Sequence, residues 1–159
     1  MHVAGYYNAG SNDVAAYWKN DASGVQGLYT SSGARALGVA VSGTDVYAAG
    51  KVDLYGTNYS RAVAIAVSGA DVYASGYYLS GTALACYWKN NAAGQVDLYS
   101  DTLTSNQAQG LCIWVDGAVV YVAGQVNQGT PSACYWKDGA RTDLYPGSTS
   151  VACSVCSSL

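Results

Sequence analysis

An all-β fold is what this sequence predicts, and three observations predict it. Four short words recur in a fixed order along the 159 residues. The runs that contain them alternate with a period of two and are rich in Val and Tyr, as half-buried strands are. Clusters of Gly, Ser and Asn separate the runs, where turns belong.

The first word is DVYAAG at Asp45 to Gly50, DVYASG at Asp71 to Gly76 and VVYVAG at Val119 to Gly124, with a cropped copy, HVAG, at His2 to Gly5. The second is AYWKN from Ala16, CYWKN from Cys86 and CYWKD from Cys134. The third is a Leu-Tyr pair at Leu28, Leu54, Leu98 and Leu144, the last three preceded by Asp53, Asp97 and Asp143. The fourth, VSG or VDG, begins at Val41, Val67 and Val115. The glycines that end the first word step by 45, 26 and 48 residues, and the Leu-Tyr pairs by 26, 44 and 46. A unit near 45 residues suits four short strands, the blade of a β-propeller, better than a helix pair of similar length.

Each full unit divides into four strands. Strand a is ALGVAV (Ala36 to Val41), AVAIAV (Ala62 to Val67) or GLCIWV (Gly110 to Val115), whose small residues suit the crowded strand nearest a propeller axis. A tight turn at Gly43, Gly69 or Gly117 follows. Strand b is the VYxAG word, with its glycine admitting the next turn. Strand c is the YWK word, with Cys86 and Trp88 on one face and Tyr87 and Lys89 on the other. Strand d is the Leu-Tyr run, outermost and most exposed.

One unit is short. The interval from the word glycine to the Leu-Tyr pair is 23 residues from Gly5, 22 from Gly76 and 20 from Gly124, but 4 from Gly50. That unit lacks strand c and its turns, and either its edge is bare or Lys51 to Tyr55 lengthens strand b. The ends complement each other: the sequence starts inside a strand b, and Ala152 to Ser157 aligns with strand a. The expected organisation is one domain over residues 1–159, with units at about 1–30 (strands b, c, d), 35–55 (truncated), 62–100, 108–145 and 151–157 (strand a). Three architectures fit these roughly four blade equivalents: a self-closed four-bladed ring, a ring of about eight blades from two chains, or a fragment of a longer gene. The head-to-tail dimer closes the ring with no exposed edge.

Composition narrows the function classes. Half the residues are apolar and 11% charged, which excludes a disordered chain or a coiled coil. Lys and Arg total 7 and the net charge is −3, so no nucleic-acid footprint is expected. No run approaches the ~18 apolar residues of a membrane span, and the N-terminus has neither the basic nor the apolar region of a signal peptide.

The words DVYAAG, AYWKN and VSGTD with the Leu-Tyr strand resemble the repeats of bacterial β-propeller proteins of uncharacterised function, whose blades read roughly VYVAG, YWKNG and VSGSD. The resemblance runs from His2 to Val155. It implies a propeller fold and, for the parent of this chain, an extracellular or surface location. The chain departs from the pattern in its deletion after Gly50, its start within a strand and its lack of an export signal; a truncated gene product without selected function is therefore one reading.

No catalytic residue, metal site or cofactor is expected. His2, the single histidine, stands where other copies have Tyr47, Tyr73 and Tyr121, and reads as a core substitute. No nucleophile elbow accompanies it. Cys153 and Cys156 form a CxxC, placed here on a strand and pointing to opposite faces, with no second close pair for zinc. Cys86 and Cys134 replace Ala16 at one repeat position and read as small buried side chains. Asp45 and Asp71 begin strand b and Asp53, Asp97 and Asp143 begin strand d, in register, as turn and strand-entry residues do. Only Asp13 and Asp101 stand apart as candidates for a glycosidase-type pair.

Binding is the expected activity. Tyr6-Tyr7 and Tyr77-Tyr78 occupy equivalent positions just after strand b, and Trp18, Trp88 and Trp136 recur on strand c. Aromatic side chains are platforms for sugars or peptides, and one large residue per unit is also what blade stacking needs. The reading is a non-catalytic propeller scaffold or ligand-binding module, completed by self-association, with a glycan or protein ligand. The alternative is a carbohydrate-active enzyme using Asp residues at the ring's centre.

Overall fold

The structure is a computed structural model that describes residues 1–20, 24–31, 33–51, 60–90, 94–98 and 107–156. Among the described residues thirteen strands, all paired antiparallel, form three sheets. The first sheet is β1 (His2–Ala9), β2 (Asn12–Lys19) and β3 (Val25–Ser31), in that order. The second runs β4 (Arg35–Ser42), β5 (Asp45–Lys51), β6 (Ser60–Ser68), β7 (Asp71–Ser80), β8 (Thr82–Lys89) and β9 (Gln95–Asp97). The third is β10 (Gln107–Asp116), β11 (Val119–Asn127), β12 (Pro131–Lys137) and β13 (Ala140–Asp143). Neighbours in sequence are neighbours in each sheet, so every connection is a hairpin or a short link.

The hairpins form where the sequence supplies a residue for positive φ. Gly43, Gly69 and Gly117 open two-residue loops at φ of 58°, 60° and 58°, a backbone state that a Cβ disfavours. A second device closes strands β2, β8 and β12. Asn20, Asn90 and Asp138 sit at φ of 68°, 64° and 49°, the left-handed region where Asn and Asp are the tolerated non-glycine residues. Asn90 donates its backbone N–H to the Val72 carbonyl at 2.8 Å and accepts from the Val72 N–H on Oδ1 at 2.9 Å. Asp138 makes the same pair of bonds to Val120, and Asn20 makes it to Met1, whose amino group donates at 3.1 Å.

The word glycines do something other than turn the chain. Strand b continues through them: β7 runs four residues past Gly76 to Ser80, and β11 runs to Asn127. Opposite each of Gly50, Gly76 and Gly124 the partner strand carries a β-bulge, between Ala36 and Gly38, Ala62 and Ala64, and Gly110 and Cys112. A bulge folds the partner's backbone towards the paired strand. A Cβ on Gly50, Gly76 or Gly124 would fall onto the carbonyl oxygen of Arg35, Arg61 or Gln109. Glycine is required by close approach, not by φ.

Strand d meets expectation in the first unit, where Leu28 and Tyr29 lie within β3, and differs in two others. β9 and β13 end at Asp97 and Asp143, so these residues close strand d rather than begin it, and Leu98 and Leu144 follow the strands. Leu98 turns into the core while Leu144 is exposed. Residues 151–156 form no strand, which corrects the placement of Cys153 and Cys156 on one. The truncated unit contributes β4 and β5, and a single pairing of Lys51 with Arg61 joins it to β6. Val52 to Tyr55 lie outside the described residues, as does Asp101.

Sheets stack face to face in sequence order. β4 packs on β1 and β2 and β10 on β6, β7 and β8, while within the second sheet, which is joined at β5–β6 by one pairing, β6 packs back on β4. At the last contact, Val120, Val122, Val126, Cys134 and Trp136 on one face of the third sheet meet Tyr73 and Ala85 of the second, with Ala64, Ala66 and Tyr87 at the border. A smaller core joins Ala15 and Ala4 of the first sheet to Ala34 and Ala36. The rule is the same at both places: the face of a sheet that bears the word tyrosines and Ala15 or Ala85 receives the first strand of the next. Among the described residues no strand of β10–β13 packs extensively on β1–β3.

Candidate functional site

The seven aromatic residues expected to bind ligand do not gather in one place. Tyr6 and Tyr7 lie within β1, and Tyr77 and Tyr78 within β7, rather than just after a strand. Adjacent residues of a strand point to opposite faces, so neither pair makes one platform. Tyr6 faces β4, where the Arg35 guanidinium stands over its ring at 4.4 Å. Tyr7 is on the opposite face, beside Gly27 and Val14. Tyr78 donates its hydroxyl to Asp97 at 3.3 Å, and partial burial followed by the nearby Asp97 carboxylate pushes its phenol above the usual range. Tyr77 is half-buried on the other side of β7.

The tryptophans share a strand position and differ in surroundings. Trp18 is half-buried and lies over Gly5, where a Cβ would meet its ring at 2.9 Å. Trp88 is also half-buried and donates its indole N–H to Gln95 Oε1 at 3.1 Å. Trp136 is fully enclosed in the core between the second and third sheets, so it offers no face to a ligand. Its cross-strand partner is Arg141 where Trp88 has Gln95, and the indole N–H is left without an acceptor.

The carboxylates are spent within their own sheets. Asp71 binds the Lys89 ammonium at 2.7 Å and accepts from Asn90 Nδ2 at 2.9 Å, and these bonds hold its carboxyl below the ordinary value. Asp97 accepts from Tyr78 and from Gln95 at 2.9 Å. Asp143 takes Arg141 in a two-pronged contact at 3.0 and 3.2 Å. Asp13 accepts from Asn8 at 3.3 Å. Such local bonding is what turn and strand-end carboxylates do.

His2 pairs with Lys19 across β1 and β2, and its ring lies 6.0 Å from that of Tyr17, with Nε2 enclosed and unpartnered. Cys86 and Cys134 are fully buried; burial pushes the Cys134 thiol to about 12 and raises that of Cys86 further. Cys153 and Cys156 are exposed, and all five thiols are unpaired. Among the described residues no three His, Cys, Asp or Glu side chains are grouped to hold a metal ion. No helix there is long and apolar enough to cross a membrane.

One concavity was not expected from sequence. A cleft of about 190 Å³ at the end of the third sheet is lined by Val126, Gln128, Ser132, Arg141, Asp143 and Pro146. It is smaller than the usual small-molecule pocket, and its one cation is already held by Asp143. The alternation that puts Arg141 and Asp143 on one face of β13 was its only legible sign.

The stack has two ends. Among the described residues, the face of the first sheet bearing Val3, Tyr7 and Trp18 packs closely on no other sheet, and Val3 and Tyr7 are 46% and 41% exposed. β1 is that sheet's edge, with no described strand on its outer side. On the third sheet, the opposite face, bearing Tyr121 and Tyr135, receives no further sheet among the described residues. The segment after β13 lies along it instead: Ser150 donates its N–H to the Pro131 carbonyl at 2.9 Å and accepts from the Ala133 N–H, and Ala152 donates to Gly124 at 3.2 Å. The sequence matches no protein-family model and no curated protein.

Proposed function

We propose that the chain is a non-catalytic β-propeller-type scaffold, a part-ring whose circle is completed when two copies associate. One observation carries the reading. Successive units stack with one face against the opposite face of the next, and among the described residues the stack ends with the Trp18 face of the first sheet open and the Tyr121 face of the third covered by the segment after β13 rather than by a sheet. Surfaces of this sort, with a strand edge beside them, favour a closed symmetric assembly over an open monomer. Repeated units that bury apolar surface only against neighbours behave in the same way. The local use of Asp71, Asp97 and Asp143 speaks against an acid pair at a shared centre.

Light scattering on the eluting peak of a size-exclusion column tests this. Twice the mass of the chain is expected; a clean monomer overturns the two-copy ring. A ligand role rests on the exposed ring of Tyr6 under Arg35, an amphipathic pair of the kind that holds sugars and peptide side chains. Retention on a glycan or peptide array, lost in Tyr6→Ala, is the expected result, and no retention by the native chain overturns it.

A further inference from the structure

Three strand pairs in this fold share one register. Ala36 faces Gly50, Ala62 faces Gly76 and Gly110 faces Gly124, and in each pair the strand on the first side then skips one residue before pairing resumes. β1 carries the equivalent glycine, Gly5, and has the equivalent edge open. The segment after β13 already sits where a first strand would sit. Gly110 of β10 lies on Gly76 of the sheet before it, so that a Cβ there would stand 3.3 Å from the Gly76 carbonyl oxygen. Ala152 approaches the equivalent glycine, Gly124, by donating its N–H to that carbonyl at 3.2 Å.

From this juxtaposition we infer that residues 152–156 of one copy add to β1 of a second copy as an outer strand, antiparallel and bulged after Ala152. The register follows from the other three pairs: Ala152 opposite Gly5, Ser154 opposite Ala4, Val155 opposite Val3 and Cys156 opposite His2. The inference rests on the two-copy reading and names its contacts. The donor is the second copy because this chain's own segment is bonded to β11 and β12, and among the described residues no strand of β10–β13 packs extensively on β1. Strand addition satisfies the free backbone groups along β1, the term that gives such interfaces their strength. It also brings the Trp18 face of one copy onto the Tyr121 and Tyr135 face of the other, as Trp136 lies on the Tyr73 and Tyr87 face within the chain. Reciprocal addition uses both edges and closes the pair.

A single substitution tests the register. Cα atoms of facing residues in an antiparallel pair are about 4.5–5.5 Å apart, within the span of a disulfide. In His2→Cys treated with diamide, the introduced thiol and Cys156 are expected to lose their protons and two electrons to the oxidant and form an interchain disulfide. A covalent dimer on a non-reducing gel, absent when Cys156→Ser is added, is the expected result. A link through Cys153 overturns the register. A link within one chain overturns the second copy as donor. No link in a chain that is dimeric by light scattering overturns the inference and leaves the two-copy reading standing, whereas a monomer without any link removes both. The double variant Ser154→Pro with Val155→Pro removes a ladder donor whichever way the strand faces. It is expected to abolish the dimer without altering the β circular-dichroism signal; a persistent dimer overturns the inference.

Discussion

Trp88 on β8 donates its indole N–H to Oε1 of Gln95 on β9 at 3.1 Å, and the same place in the third sheet sets Trp136 against Arg141, which has no acceptor to offer. Trp136 is nonetheless the more deeply buried of the two. A buried donor without a partner costs about 1–3 kcal/mol, while loss of an indole to alanine in a core costs about 3–5 kcal/mol. Trp136→Phe therefore removes an unfavourable group along with some packing and should cost no more than about 1 kcal/mol in urea unfolding. Trp136→Ala should cost the full amount. Equal losses for both would refute the orphaned N–H.

Gly76 stands against the Arg61 carbonyl at the β6 bulge. Gly76→Ala forces backbone to shift in both strands, and a loss at or above the ~1–3 kcal/mol of ordinary overpacking is expected. Gly5→Ala meets only the Trp18 ring. A side chain can turn aside where backbone cannot, so its effect on the unfolding of the single chain should be smaller.

Asn90 supplies a left-handed residue and an acceptor for Val72 at the same point. Asn90→Gly keeps the backbone state and loses the side-chain bonds to Val72 and Asp71, each worth about 0.5–1.5 kcal/mol. Asn90→Ala loses both bonds and adds roughly 1 kcal/mol of steric cost at positive φ. Thermal melts should therefore rank native above Asn90→Gly above Asn90→Ala.

The Asp71 carboxyl is held below its ordinary 3.8 by bonds to Lys89 and then Asn90, and the same contact raises Lys89 above 10.5. A lowered carboxylate value means that its contribution is complete above 3.8 and fades as the pH falls through the folded value. For the raised ammonium it is complete below 10.5 and fades as the pH rises through the folded value. Both groups are solvent-exposed, so salt should shrink the effect. The stability gap between native chain and Asp71→Asn should be flat across neutral pH, close on acidification, and narrow in high salt; a gap that widens in acid would contradict the assignment.

Thiol reactivity should divide by burial. Thiolate is the reactive form, and Cys86 and Cys134 are enclosed with their thiols pushed far up. In the single chain, iodoacetamide at neutral pH should modify Cys153 and Cys156 first, Cys112 more slowly, and Cys86 and Cys134 only after denaturation. Peptide mass spectrometry reads the order directly.

The amino-acid order by itself determined the all-β character, the hairpin glycines at Gly43, Gly69 and Gly117, and the location of most strands, because alternation and turn chemistry act over a few residues. It also marked Cys86 and Cys134 as interior positions through their exchange with Ala16. It did not show that β7 and β11 run on through Gly76 and Gly124, since a glycine demanded by a neighbour's carbonyl looks the same in sequence as one demanded by a turn. Trp18, Trp88 and Trp136 stand at one repeat position, yet only the tertiary structure decided that Trp136 is enclosed while Trp18 lines an open face. Burial depends on whether another sheet stands opposite, and that is a property of the stack rather than of the strand.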